Sequence, residues 1–477
     1  MNHSFFPAAT PESLGIPSGS LAEFVAGLNA LDQAHAFILL RHGKIAAQGA
    51  WHPYSLDLPH ELFSLSKSFI SCAVGIAREE KRLSLQDRVV DFFPEHLTPS
   101  VSPAMRNVTL RDLLRMASGH DRCSFSFVDF RHGNWLREIL ESPLLYRPGE
   151  HFTYNSGATF LLGAAIRKIT GMNPVDYLQT RLFDPMGISA PEWNCNPQGI
   201  NIGGWGLWLP VTDIAKFAQL LLQRGCWEGR QLVPADYLEE ATSFQIDTSA
   251  NDAPDWKIGY GYQFWRCRQG GFRADGACGQ YAVVYPERQL AFAFVSGMRN
   301  MQDVLTLLQE KVLPFLCDGP LEEDPSALAE LDRRTASLTA ALPAAMQTPS
   351  ENFPPPETVA GEYEVAANPW KIRKLDLRFS GEECVLEIDS VPVRAGFRQI
   401  VCSEAALSAE TPHRIAGRAA WIGPEELMIY AWCLQTPSRF TWHLRFCGND
   451  LTVHRTTPVL FHDGRTNLLF HAVKRNC

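Results

Sequence analysis

Along the first two thirds of the chain, apolar positions recur with two alternating periods. The segment AFILLRHGKIAAQGAW (36–51) reads as two strands joined by a turn at His42-Gly43. From Ser64 to about Arg82 the spacing is helical, and Phe69, Ile70, Cys72, Ala73, Val74, Ile76 and Ala77 leave almost no polar face. A helix apolar nearly all round belongs in the middle of a domain. TLRDLLRMA (109–117), SGATFLLGAAIRKIT (156–170), NPVDYLQTRLF (173–183) and VTDIAKFAQLLLQRG (211–225) are amphipathic helices, with Gly171 and Gly225 at their C-caps. YGYQFWRC, GQYAVVYP and QLAFAFVSG are strand-like, and MQDVLTLLQEKVLPFL (301–316) closes the region as a helix.

The pattern changes after Cys317. Residues 319–357 read as one polar amphipathic helix followed by a Pro-rich linker. Beyond Glu357 the period is two: KLDLRF sets Leu375, Leu377 and Phe379 against Lys374, Asp376 and Arg378, and TWHLRF and LTVHRT alternate in the same way. The organisation expected is a mixed domain over 1–318, a linker over 319–357 and a β-rich domain, barrel or sandwich, over 358–477.

Composition narrows the function classes. A chain of 477 residues exceeds what one core usually supports, and 45% hydrophobic content is enough to fill more than one. The net charge is −9 and no Lys/Arg stripe occurs, so nucleic acid and anionic membrane surfaces are not expected partners. No apolar run reaches membrane-spanning length, and MNHSFFPAATPESLGIPSGS lacks a signal-like pattern; a cytoplasmic protein is the expectation. Twelve cysteines without a CxxC pair predict reduced, mostly buried thiols and no zinc site. No metal or other cofactor is expected.

The chemistry begins at FSLSKSF (63–69). Ser64 and Lys67, three residues apart, share a face of a helix. A serine hydroxyl is a weak nucleophile until a base takes its proton, and a desolvated lysine is such a base. The same pattern also describes an N-cap serine followed by a snorkelling lysine.

The surroundings favour the catalytic pair. LFSLSKSFISCAVGIAREEKRLSLQDRVVDFFPE resembles the opening catalytic segment of the serine β-lactamase and penicillin-binding-protein superfamily, most closely its class C-like serine hydrolases. TLRDLLRMASGHD (109–121), YRPGEHFTYNSGATFLLG within 146–188, GGWGLWLPVTDIAKFAQLLLQRG within 203–233 with its Asp213–Phe217 helix motif, and RADGACGQYAVVYPERQLAFAFVSG (273–297) follow in the order of that family. The resemblance covers roughly residues 10–315. It implies an α+β fold: a β-lactamase/transpeptidase-like catalytic domain with an antiparallel sheet flanked by helices, a helical lobe, and the active site between the lobes.

Carried over residue by residue, the resemblance makes Ser64 the acylated nucleophile, Lys67 its base and Tyr154 the tyrosine sharing the proton. A phenol beside an ammonium should have its pKa lowered, placing Tyr154 to take the Ser64 proton and pass it to the leaving group. The family's Tyr-x-Asn stands here as Tyr154-Asn155-Ser156, with Ser156 in the substrate-contacting place. The third motif, Lys-Thr-Gly or His-x-Gly elsewhere, stands as Ala274-Asp275-Gly276, without the cation that would hold a substrate carboxylate. Gly276 lets substrate approach the strand, the Ala277 N–H pairs with that of Ser64 as the oxyanion hole, and Gln280 lies near the same strand, either as a structural residue or as a substrate contact. Cys278 reads as a packed thiol, with a pocket-facing thiol as the alternative, and His120 and His151 are the histidines nearest the motifs.

The resemblance thus implies a serine hydrolase forming an acyl-enzyme on a small ester or amide. An acyltransferase, a β-lactamase or a DD-peptidase would use the same residues. A non-catalytic, ligand-binding member is the alternative of another class.

Overall fold

In the computed structural model, which describes residues 5–407, 412–459 and 466–475, the chain divides into two compact units. One holds the residues up to Leu31, 36–49 and 59–338; the other holds 32–35, 50–58 and the chain from Thr339 on.

The first unit is built on a six-stranded sheet. Its strands are β1 (Ala34–Arg41), β2 (Lys44–Ala50), β3 (Trp265–Arg266), β4 (Phe272–Gly276), β5 (Gln280–Tyr285) and β6 (Leu290–Ser296), in the order β2-β1-β6-β5-β4-β3. β5 pairs antiparallel with both β4 and β6, so Ala282 lies opposite Ala274 on one side and Ala293 on the other. β1, β5 and β6 are buried along their whole length, as expected of near-continuous apolar runs. Of YGYQFWRC, only Trp265–Arg266 enters the sheet, because Gly259 (φ +114°) and Gln263 (φ +63°) turn the chain before it.

The helices that matter to the site are α1 (Ser18–Ala30), α2 (Ser66–Glu79), α3 (Ser156–Thr170), α4 (Val211–Leu222), α5 (Gln302–Lys311) and α6 (Pro325–Ala336). α1 sets Phe24 edge-on against Phe37 of β1 and Phe292 of β6, and α5 and α6 pack on α1. The amphipathic helix that follows Cys317 therefore belongs to the first unit, which runs to Leu338.

α2 is the central helix. Every residue from Ser66 to Ala77 is buried, and each fully buried Phe, Ile or Val contributes about 1.5–3 kcal/mol. Its serines are satisfied by distant chain: Ser66 Oγ accepts from Leu207 N (3.1 Å), Ser68 Oγ donates to Gln263 O (2.7 Å), and Ser71 Oγ meets Tyr237 OH at 2.9 Å. α4 holds α2 from the side by stacking Phe217 on Phe69, ring centroids 3.9 Å apart. The Asp213–Lys216 pair (2.8 Å) and the Lys216 bond to Gly187 O fix α4 itself.

The second unit is a β-barrel. Its strands are β7 (Gly361–Val365), β8 (Lys374–Ser380), β9 (Glu383–Ile388), β10 (Val391–Gly396), β11 (Val401–Ala405), β12 (His413–Gly423), β13 (Glu426–Cys433), β14 (Arg439–Cys447), β15 (Asp450–Thr456) and β16 (Asn467–Lys474). Their order is β10-β9-β8-β7-β16-β15-β14-β13-β12-β11, and a parallel bridge between Gly396 of β10 and Arg418 of β12 closes the sheet. Closure removes the edges that a sandwich would expose. Gly417 permits it, since a Cβ there would lie 2.0 Å from Arg394 O. Alternate residues fill the interior, among them Leu375, Leu377, Leu386, Trp442, Leu444, Val453 and Phe470.

Candidate active site

The strand His60–Glu61 pairs with Leu207–Leu209 and leads straight into α2 through a 3₁₀ turn at Phe63–Leu65. Ser64 sits in that turn, one residue pair before the helix expected to begin at it. Phe63 has φ +47°, a left-handed conformation costly for a bulky residue and typical of a functional turn held by its surroundings. The turn leaves Ser64 half-buried while Lys67, one turn into the buried segment, is 1% exposed.

Lys67 Nζ lies 2.9 Å from Ser64 Oγ and donates to Gly204 O over 2.6 Å. Burial pulls the Lys67 pKa down to about 7, against smaller upward pulls from Cys123 and Asp275, so much of the amine is neutral near pH 7. Gly204 reaches the amine because it presses on the start of α3: a Cβ there would lie 2.9 Å from Ser156 O and 3.0 Å from Ser156 Cβ.

Tyr154 completes the cluster. Its hydroxyl is hydrogen-bonded to Ser64, and Lys67 Nζ is 4.9 Å from its ring centroid. The ring stacks on Trp265 (5.8 Å, 21°) and meets Tyr260 edge-on. Burial, reinforced by the charge of Asp275, pushes the phenol pKa upward. This reverses the lowered value expected from sequence: with the amine substantially neutral, the ammonium that would acidify the phenol is largely missing. A neutral phenol can donate a proton and a neutral amine can accept one.

The strand β4 borders the cluster. A Cβ on Gly276 would lie 2.1 Å from Leu62 O and 3.1 Å from Leu65 N, so this glycine is what lets the strand touch the Ser64 turn. Strand alternation puts Arg273 and Asp275 on one face and the fully buried Ala274 on the other. Arg273 Nε donates to Asp275 Oδ2 (2.9 Å), and its Nη1 donates to Asp255 O and Arg266 O. A guanidinium thus does lie in this strand, one residue before the position where the cation was judged absent. It is fully buried and paired, with its charge facing Asp275 and the rings of Trp256 and Trp265.

The remaining expected residues sort by what they touch. Ser156, half-buried, opens α3 beside Gly204. Asn155 is fully buried and faces away from Ser64: its Oδ1 accepts from Gly157 N, Ser124 N and Ser124 Oγ, and its Nδ2 reaches Ser118 and His120. Ala277 follows β4, and its carbonyl accepts from Gln280 Nε2 (3.0 Å). Gln280, for which both a structural place and a substrate contact were open, is fully buried; its amide also bonds Ser296 O and Ser296 N and so ties the 277–279 turn to β6. Cys278 is a packed thiol, pushed up to about 12 by burial. His120 is buried between Ser118 and Ser142 and drawn down to about 4, a neutral structural ring, while His151 is exposed against Tyr146.

Gly204, Trp265, Tyr260, Arg273 and Cys123 were not singled out from sequence. The "GG" at 203–204 was visible, but nothing local marks a carbonyl that holds an amine 137 residues away. The Cys123 thiol lies close enough to act on both Lys67 and Tyr154. Among the described residues, no group of His, Cys, Asp or Glu is arranged to hold a metal, and no helix is long and apolar enough to cross a membrane.

The family model described as Beta-lactamase matches residues 23–305, a stretch that includes Ser64, Lys67, Tyr154 and β4. The chain belongs to the Beta-lactamase family. This β-lactamase-family chain is 28% identical over 171 residues to lovastatin esterase of Penicillium rubens, covering 30% of itself and 42% of the esterase. It is 25% identical over 174 residues to protein flp of Staphylococcus aureus, covering 34% of itself and 35% of flp. The matches thus span less than half of these relatives. Among solved structures, a Bacillus anthracis chain classed as a 6-aminohexanoate-dimer hydrolase shares the fold at TM-score 0.53 and 21% identity, over 64% of this chain and 85% of its own. EstCE1, a hydrolase with promiscuous acyltransferase activity, shares it at TM-score 0.50 and 16% identity, over 62% and 98%.

Proposed function

We propose that this β-lactamase-family protein is a serine hydrolase that cleaves a small ester or amide through an acyl-enzyme on Ser64. The observation that carries the reading is the 2.9 Å approach of a buried, substantially neutral Lys67 amine to the Ser64 hydroxyl. Ser64 Oγ attacks the carbonyl carbon as its proton passes to Lys67 Nζ. The backbone N–H groups of Ser64 and Ala277 receive the developing oxyanion. When the tetrahedral intermediate collapses, the Tyr154 hydroxyl gives its proton to the leaving alcohol or amine and regains one from the Lys67 ammonium. Water, deprotonated by the same amine, then releases the acid and restores Ser64.

The buried Arg273–Asp275 pair supports esters or amides lacking a carboxylate beside the scissile bond. Asp275 acts on Lys67 from β4, and the buried Arg273 guanidinium is engaged by Asp275 and by the carbonyls of Asp255 and Arg266. The similarity to lovastatin esterase fits this reading. Acyl transfer to an alcohol or amine is a second outcome of the same intermediate, consistent with the activity named for EstCE1.

Intact mass after treatment with a fluorophosphonate probe tests the nucleophile: one adduct on the wild type and none on Ser64→Ala is expected. An unlabelled wild type, or equal labelling of both, rejects Ser64. A panel of neutral esters, neutral amides and nitrocefin then tests substrate class, with rapid nitrocefin turnover contradicting the role given to Asp275.

A further inference from the structure

Five aromatic rings gather next to the segments that carry Tyr154 and the acceptor of Lys67. Phe125 meets Trp205 edge-on at 4.9 Å and Trp135 edge-on at 5.1 Å, and lies 5.6 Å from Phe130. Phe160 of α3 packs against Trp135 at 5.6 Å. Phe125, Trp135 and Phe160 are buried, whereas Phe130 is 48% exposed and Trp205 is half-buried. A single exposed ring is ordinary on a protein surface. Open rings resting on a buried aromatic floor mark a place for an apolar partner.

Two hydrogen-bonded links join these rings to the catalytic residues. Trp205 follows Gly204, whose carbonyl accepts from Lys67 Nζ (2.6 Å) and on which a Cβ would press against Ser156. Phe125 follows Ser124, whose N–H and hydroxyl both donate to Asn155 Oδ1 (3.0 and 2.9 Å), the residue after Tyr154. Cys123, just before Ser124, acts on both Lys67 and Tyr154. Phe130 is also held: Asp129 N donates to Glu138 Oε2 (2.9 Å), and Asp129 Oδ1 accepts from Arg131 N (2.9 Å) and His132 N (3.2 Å).

Aromatic rings bind one another face to offset face or edge to face, so a wall of fixed rings favours a planar ring over a flexible chain of similar size. Trp205 starts one residue from the carbonyl that holds the catalytic amine, within the span of a small molecule whose carbonyl reaches Ser64. We propose that Trp205, Phe125 and Phe130 form a specificity subsite of the Ser64 site and select substrates that carry an uncharged aromatic ring. The inference rests on the reading of Ser64 as the nucleophile and names the substrate class of that same site.

Rates of Ser64 labelling by two neutral probes, ethyl 3-phenylpropylfluorophosphonate and ethyl hexylfluorophosphonate, test it in the full-length protein. The aromatic probe should react about five- to tenfold faster with the wild type. Phe130→Ala, at an exposed position, and Trp205→Leu should each bring the ratio of the two rates close to one. Equal rates on the wild type, or a ratio unaltered in both variants, overturns the subsite and leaves Ser64 as the nucleophile. Labelling by neither probe rejects the Ser64 reading instead. The subsite is then read by titration calorimetry of Ser64→Ala with 3-phenylpropanamide: saturable binding that is lost on adding Phe130→Ala supports it, and binding that is absent or unaltered by that change overturns it.

Discussion

Arg273 Nε donates to Asp275 Oδ2 across 2.9 Å, with the two side chains 0% and 5% exposed. Two residues apart on one face of β4, they form a buried charge pair, and Asp275 acts on both Lys67 and Tyr154. Removing one partner of such a pair leaves the other buried and uncompensated. Asp275→Asn should therefore lose about 3–5 kcal/mol of stability in urea unfolding. The double change Arg273→Met with Asp275→Leu should recover most of that loss. A single variant as stable as the wild type would show the pair to be solvated.

Lys67 sets the pH dependence. Its folded pKa of about 7 lies below that of an ordinary lysine, 10.5, because burial disfavours the ammonium. The base form grows as pH rises, so kcat/KM should climb with unit slope below about pH 7 and level off above it. Stability has its own sign. Between about pH 7 and pH 10.5 the unfolded chain binds the proton and the folded one does not, so stability rises with pH across that window. Lys67→Met should be more stable than wild type at pH 7, with the difference closing as pH approaches 10.5. Denaturation midpoints at several pH values measure it.

Gly276→Ala tests how tightly β4 meets the nucleophile turn. The added methyl would stand 2.1 Å from Leu62 O, so the turn carrying Ser64 must shift. A displacement of about 1 Å at a reacting group costs on the order of a hundredfold in rate. Acylation by the fluorophosphonate probe should slow by about that factor, with circular dichroism showing the fold retained. An unchanged acylation rate would remove Gly276 from the site.

Asn155 is a structural clamp despite its place beside Tyr154. Its carboxamide caps α3 and holds the Ser124 N–H. Asn155→Ala should cost roughly 2–4 kcal/mol, the sum of a lost cap and a stranded buried donor. Asn155→Asp keeps the acceptor and should restore the part due to the cap. The measurement is the urea midpoint of the three proteins.

The local pattern was enough for the elements whose cause is local. A run of apolar residues without a polar face has to be buried, and α2 is buried from Ser66 to Ala77. Three-residue spacing brings Lys67 back over Ser64 whatever lies around them. Alternation in TWHLRF and LTVHRT sends Trp442, Leu444, Leu451 and Val453 inward. The alternation left barrel or sandwich open, and what decided it was the meeting of Gly396 with Arg418, a contact between strands not adjacent in sequence.

Protonation is where the sequence stops. The spacing Ser-x-x-Lys offers an amine but does not free it of its proton; Lys67 is substantially unprotonated near pH 7 because distant segments shut out water, and Gly204, from another part of the chain, holds it in place. The same burial raises the Tyr154 phenol, against the expectation drawn from its neighbour alone. The motif pattern gave Ala274 the decisive place in β4, but the pleat turns Ala274 into the core and sets the buried Asp275 on the other face, where it acts on Lys67 and Tyr154. Sequence determines which groups are available. Desolvation, set by everything that packs around them, decides which carry charge and which face the substrate.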